Sequence, residues 1–129
     1  MAERARDWMA QAERDLAHAE NDLTSGFYEW SCFSAQQAAE KAIKALYQTR
    51  NQLAWGHSVR ELLEGLRDEL LVSEPLIEAG KSLDKYYILS RYPNGFPSGA
   101  PVDYFTKRDA QGAVDAARKI IRFCKDHLA

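Results

Sequence analysis

Cysteine, glycine, proline and surplus positive charge are all in short supply, and each shortage removes a class of protein. Two cysteines, Cys32 and Cys124, in 129 residues cannot supply a disulfide framework. Both fall within helical apolar patterns, so reduced core thiols and a cytoplasmic location are expected. Seven glycines and four prolines exclude a collagenous or low-complexity chain. No apolar run approaches the ~20 residues of a membrane span. The opening MAERARDWMAQAERDLAHAE is charged throughout, so neither a membrane segment nor a secretory leader is expected. The formal net charge is -2, whereas a duplex-DNA binder draws most of its affinity from a strong cationic excess. Any nucleotide or nucleic-acid site must therefore be a local cluster rather than a global field.

What remains is 46% hydrophobic and 28% charged, the balance of one globular domain spanning residues 1–129. The periodicity is helical throughout. Trp8, Ala12, Leu16, Ala19 and Leu23 recur at steps of three or four across Glu3–Leu23, and Gly26 is placed to cap that helix. A second helix over Phe27–Gln48 carries Phe27, Tyr28, Cys32, Ala35, Ala38, Ala39, Ala42, Ile43, Ala45 and Leu46 on a broad core face. Its alanines permit close helix approach. Ser58-Val59-Arg60-Glu61 is a capping box for a short third helix, and Ser73-Glu74-Pro75 opens a fourth with core positions Leu76, Ala79, Leu83 and Tyr87. That helix must stop near Arg91–Tyr92, because Pro93 disfavours the α region before it. Tyr92–Phe105 is expected to be irregular, and Thr106 to Asp109 caps the last helix. The expected fold is an all-α, antiparallel up-down bundle of four longer helices and one short one.

Three features carry possible chemistry. The opposite stripe of the second helix holds Glu29, Gln36, Gln37, Glu40, Lys41, Lys44 and Gln48, of which Gln37, Glu40, Lys41 and Lys44 neighbour one another. They form either a solvated face with an ordinary Glu40–Lys44 pair or a phosphate site, with Gln37 and Trp30 or Phe33 against a base. Trp30 and Phe33 are large aromatics among polar neighbours, so a loop, a ligand or a second subunit should cover them. Arg91 lies seven residues after Asp84 at a helix end. It is either a dipole partner held by Asp84 or the phosphate-binding, charge-stabilising group of a cleft beside Tyr92. His57 precedes a helix cap, where it either bonds the turn or acts as a base. No second ligand is read one turn from His18 or His127, so no metal and no cofactor is expected.

Gln36-Gln37-Ala38-Ala39-Glu40-Lys41-Ala42-Ile43-Lys44, then Gly56-His57-Ser58 through Leu62-Leu63, then Asp84-x-x-Tyr87 leading into Ser90-Arg91-Tyr92-Pro93, together resemble the HEPN family over nearly the whole chain. That resemblance implies a bundle of about five helices, a homodimer, and a minimal nucleotidyltransferase partner in a two-component or toxin–antitoxin system. Lys41, Lys44, Arg91, Tyr92 and Gln37 then become candidates for binding a nucleotide or RNA. Many HEPN proteins are metal-independent ribonucleases with an Arg-x(4–6)-His motif, which makes Arg91 and His57 the catalytic candidates here. No histidine follows Arg91 before His127, so the expectation is a binding domain without efficient RNA cleavage. The alternatives are a ribonuclease toxin with Arg91 and a displaced base, in which His57 serves if the fold brings it to the cleft, and a purely structural interaction domain.

Overall fold

A computed structural model describes residues 2–128. Four longer helices form the bundle: α1 (Ala2–Ser25), α2 (Tyr28–Thr49), α4 (Glu74–Asp84) and α7 (Lys107–Asp126). The short α3 (Val59–Glu64) leans on α4, and α5 (Tyr86–Leu89) and α6 (Pro101–Tyr104) are single turns. The described residues contain no strand.

Helix α2 is the axis of the molecule. It packs along α1, then on α7, with α3 to α6 closing its remaining sides. Ala35, Ala38, Ala39, Ala42 and Ala45 are fully buried there beside Ile43 and Leu46. Methyl side chains keep the interhelical distance short, so larger residues at these sites overpack the core at ~1–3 kcal/mol. Helix α1 ends at Gly26, whose φ of +85° provides the left-handed turn into α2. Its spacing puts Phe27 on the core face of α2. It is instead the N-cap residue and 56% exposed, because the turn through Gly26 directs it off the helical wheel.

Two elements fix where the site forms. Gly80 of α4 lies under α3, and a Cβ there would meet the Arg60 backbone nitrogen at 3.0 Å. The fourth helix does not run unbroken to Arg91: it tightens at Lys85 and resumes as α5, with the backbone still helical at the break (φ -61°, ψ -26°). The segment expected to be irregular is a compact knot, holding a 3₁₀ turn over Pro93–Gly95 and then α6. Phe96 stacks on Tyr104 at 4.2 Å, the Tyr104 hydroxyl donates to the Ser98 carbonyl at 2.6 Å, and Phe105 meets Tyr86 edge-on at 5.5 Å.

Candidate functional site

Gln36, Glu40 and Lys44 lie one turn apart on α2. Gln36 and Glu40 belong to the polar stripe, yet both are buried, Glu40 to 5% exposure. The segment leading into α3 covers them. The Gln36 amide donates to the His57 carbonyl at 3.0 Å and to Glu40 Oε1 at 3.1 Å. Lys44 Nζ reaches Glu40 Oε2 at 2.8 Å, and His57 Nδ1 reaches the same oxygen at 3.0 Å. Burial alone would push the Glu40 carboxyl up, but the hydrogen bonds from Lys44, His57 and Gln36 outweigh it and hold the group below the usual carboxylate range. Glu40 is an ionised, buried hub with no need of a metal to balance it.

From His57 the contacts run on to α5. The imidazole stacks on Tyr87 with ring centres 4.7 Å apart and planes at 18°. The Arg91 guanidinium carbon also lies 4.7 Å from the Tyr87 ring centre, 4.3 Å from that of Phe33 and 5.1 Å from that of Tyr92. Arg91 Nε donates to the Tyr87 carbonyl at 2.9 Å, closing the turn after α5. No ion pair is formed by Arg91 among the described residues, so its terminal N–H groups lack a carboxylate. A guanidinium set among three rings and without a carboxylate is prepared for an anion with an aromatic neighbour. Trp30 extends the wall, edge-on to Phe33 at 6.2 Å and 46% exposed. A cleft of about 300 Å³ opens alongside, lined by His57, Ser58, Arg60, Glu61, Asp84 and Tyr87.

Asp84 does not hold Arg91. Its carboxylate accepts from the Ser58 hydroxyl at 2.7 Å, from the Val59 amide at 2.6 Å and from the Arg60 amide at 3.3 Å. It caps α3 from α4, and the two free amides at that helix start outcompete a side chain on the next element. Lys41 points away from the cleft to Asp15 of α1 at 2.6 Å, with Gln37 bridging it to Gln36. Of the candidate residues, the fold thus gathers Arg91, Tyr92, His57 and, through Glu40, Lys44. Lys41 turns to α1, and Gln37 stays between Lys41 and Gln36 on α2. Spacing alone drew attention to neither Glu40 as a hub nor Tyr87 as the shared ring.

A second buried acid corrects the reading that no second ligand stands one turn from His18. Asp22, one turn beyond His18, is 8% exposed, and its Oδ2 lies 3.3 Å from His18 Nε2 without forming a hydrogen bond. The other ring nitrogen of His18 meets the Ser34 hydroxyl at 2.9 Å. Burial pushes the Asp22 carboxyl up, and the His18 charge partly offsets that rise.

The relatives of this chain agree with the geometry at fold level. Solved structures similar to it include a protein of Thermus thermophilus, 48% identical over 96% of this chain and 98% of that one, with a TM-score of 0.94. An archaeal HEPN homologue is 37% identical over 97% and 98%, with a TM-score of 0.83. A HEPN domain protein of Thermotoga maritima is 43% identical over 93% and 95%, with a TM-score of 0.77. A Methanocaldococcus jannaschii protein named "Putative toxin MJ1304" is 26% identical over 96% of this chain and 88% of its own length. The HEPN domain model matches residues 5–127. With that match covering almost every residue, the chain belongs to the HEPN domain family.

Proposed function

We propose that this is a toxin-like HEPN domain that binds the phosphate and base of a nucleotide or of single-stranded RNA on the aromatic-lined surface around Arg91, beside the His57–Asp84 cleft. One observation carries the reading: Arg91 is caged by Phe33, Tyr87 and Tyr92 and has no carboxylate partner among the described residues. The lysines offered by the sequence are neutralised, Lys41 by Asp15 and Lys44 by Glu40. Arg91 is therefore the cation on which a phosphate would settle, with Tyr92 as the stacking face. Lys44 contributes only by sharing its contact with Glu40. The family relation and the exposed Trp30 and Tyr92 support a homodimer, and the family relation supports a nucleotidyltransferase partner.

The test is a titration of ATP and of a short single-stranded RNA against wild type, Arg91→Ala and Lys41→Ala. Losing one charged hydrogen bond typically costs ~1.5–3 kcal/mol, which is ~10–150-fold in affinity. Arg91→Ala should weaken binding by about that factor, and Lys41→Ala should leave it nearly unchanged. Failure of the wild type to bind either ligand, or equal binding by Arg91→Ala, removes the reading. A second reading, an RNA-cleaving toxin, is favoured by the name of the Methanocaldococcus relative and by His57 lying against the same tyrosine as Arg91.

A further inference from the structure

The three most exposed large apolar side chains among the described residues stand on the two loops that flank α3. Leu53, Trp55 and Leu71 are 77% to 91% exposed. Their neighbours in sequence hold them there by pointing inward: Ala54 and Leu70 pack on the core, and Val72 is buried. One carboxylate joins the two loops. Glu69 accepts from Arg50 Nε at 2.6 Å on one oxygen and from the Gln52 side-chain amide at 2.6 Å on the other. The Gln52 backbone amide donates to the Tyr47 carbonyl at 3.1 Å and the Leu70 amide to the Leu66 carbonyl at 2.9 Å, so each loop is also tied to the chain before it. Single exposed apolar residues are ordinary on a surface. Three on two loops fastened to each other make a fixed apolar feature.

The surrounding charge restricts what can cover it. Residues 50–74, from the end of α2 to the start of α4, hold three arginines, no lysine and five carboxylates. With histidine neutral, the whole net charge of -2 lies in this stretch and the rest of the chain is balanced. Each of the three arginines is already engaged within it: Arg50 by Glu69 at 2.6 Å, Arg60 by Glu64 at 2.6 Å and Arg67 by Glu74 at 2.7 Å. Glu61 and Asp68 form no ion pair among the described residues. Apolar anchors thus stand in a negative field with no cation to spare. Nucleic acid and anionic lipid meet repulsion there. A second copy, docking the same face on itself across a two-fold axis, sets acid against acid. An apolar stripe edged with positive charge meets neither obstacle.

We propose that the loops on either side of α3 dock a cationic amphipathic segment of another protein. Its apolar stripe lies over Leu53, Trp55 and Leu71, and its lysines or arginines meet Asp68 and Glu61. Tryptophan supplies a large, stiff anchor, and excluding water around it strengthens the charge contacts at the edge. This surface selects positive charge, whereas Arg91 selects negative charge, so it is a second recognition site and not an extension of the first.

The experiment titrates a short fluorescent amphipathic peptide of leucine and lysine, and a second peptide with glutamate in place of lysine. The proteins are wild type, the double variant Trp55→Ser with Leu71→Ser, Asp68→Lys and, as an exposed control on α6, Val102→Ser. Wild type should bind the lysine peptide and not the glutamate peptide, more weakly as salt rises. The double variant changes only solvent-facing side chains, so it should melt with wild type, yet bind at least ~30-fold more weakly. Asp68→Lys should weaken binding by ~5-fold, and Val102→Ser should leave it unchanged. No binding of the lysine peptide by wild type overturns the proposal, as does equal binding of both peptides, equal binding by the double variant, or an equal loss in Val102→Ser. A dimer that the double variant converts to monomer in sedimentation overturns it in favour of a second copy. Adsorption of wild type, but not of the double variant, to phosphatidylserine vesicles overturns it in favour of a membrane. Nucleotide titration depends on Arg91 and not on these residues, so either assignment can fail while the other stands.

Discussion

Two buried carboxylates, alike in burial, respond oppositely to pH. Glu40 is held below the ordinary range by donors on three sides, so its stabilising effect is fully present above the unfolded value of ~4.3. That contribution is lost as pH falls through the lower folded value. Asp22 is raised by burial with one unbonded oxygen, so its contribution is present below an unfolded value of ~3.9 and is lost as pH rises through the folded one. Glu40→Gln should therefore destabilise the domain at pH 7 by ~3 kcal/mol, the cost of stranding a partly buried Lys44, and the deficit should shrink in acid. Asp22→Asn should stabilise it at pH 7 by about 1 kcal/mol, relieving an unsatisfied buried group, with the gain fading as pH drops. Urea denaturation of both variants at pH 7 and pH 4 checks the signs. An Asp22→Asn protein weaker than wild type at pH 7 would mean that the His18 contact outweighs desolvation.

At the scale of elements, α3 decides whether His57 is in place. A helix of six residues has little stability of its own. It is anchored by its own Ser58 cap on the Glu61 amide, by the Asp84 carboxylate reaching across from α4, and by the close seat over Gly80. Asp84→Ala should cost about 1–3 kcal/mol, a cap together with a newly unsatisfied amide. It should accelerate hydrogen exchange at Val59 and Arg60, while the Arg91 contacts to Phe33 and Tyr87 persist. Unchanged exchange at those amides would show that Gly80 and the Ser58 cap suffice. The helices themselves were legible because each long one repeats its apolar residues every three or four positions, as in Ala12, Leu16 and Ala19 of α1, all at least half-buried. The site was legible only in part. Arg91 and Tyr92 stood out by charge and shape beside a proline. Glu40 looked like half of a solvent-facing pair because spacing along α2 gives no notice that residue 57 will fold over it. Phe27 misled for a related reason: a residue beside a left-handed glycine has left the wheel on which its periodicity was counted.

At the scale of the molecule, the exposed apolar residues gather around the cleft and the loops. Trp30 lies against Phe33 and Tyr92 against Arg91, and Leu53, Trp55 and Leu71 are exposed as well. A surface of this kind is commonly covered in an assembly. Sedimentation at micromolar concentration should therefore show a dimer of about twice the 14.6 kDa chain mass. Trp30→Ser together with Tyr92→Ser should move it toward the monomer if the cleft rim is the contact. A single monomeric species throughout removes the dimer.

The two thiols have a consequence of another kind. Cys32 and Cys124 are both completely enclosed, and burial pushes both upward in pKa, Cys32 to about 12. A thiol reacts as its anion and only where a reagent can reach it. The native molecule thus presents no foothold to alkylating agents or oxidants, and each thiol becomes available only when α2 or α7 separates from its neighbours. Labelling of these cysteines is in effect a clock for the opening of the bundle. A new cysteine placed on the surface would be the one addressable point on an otherwise silent molecule.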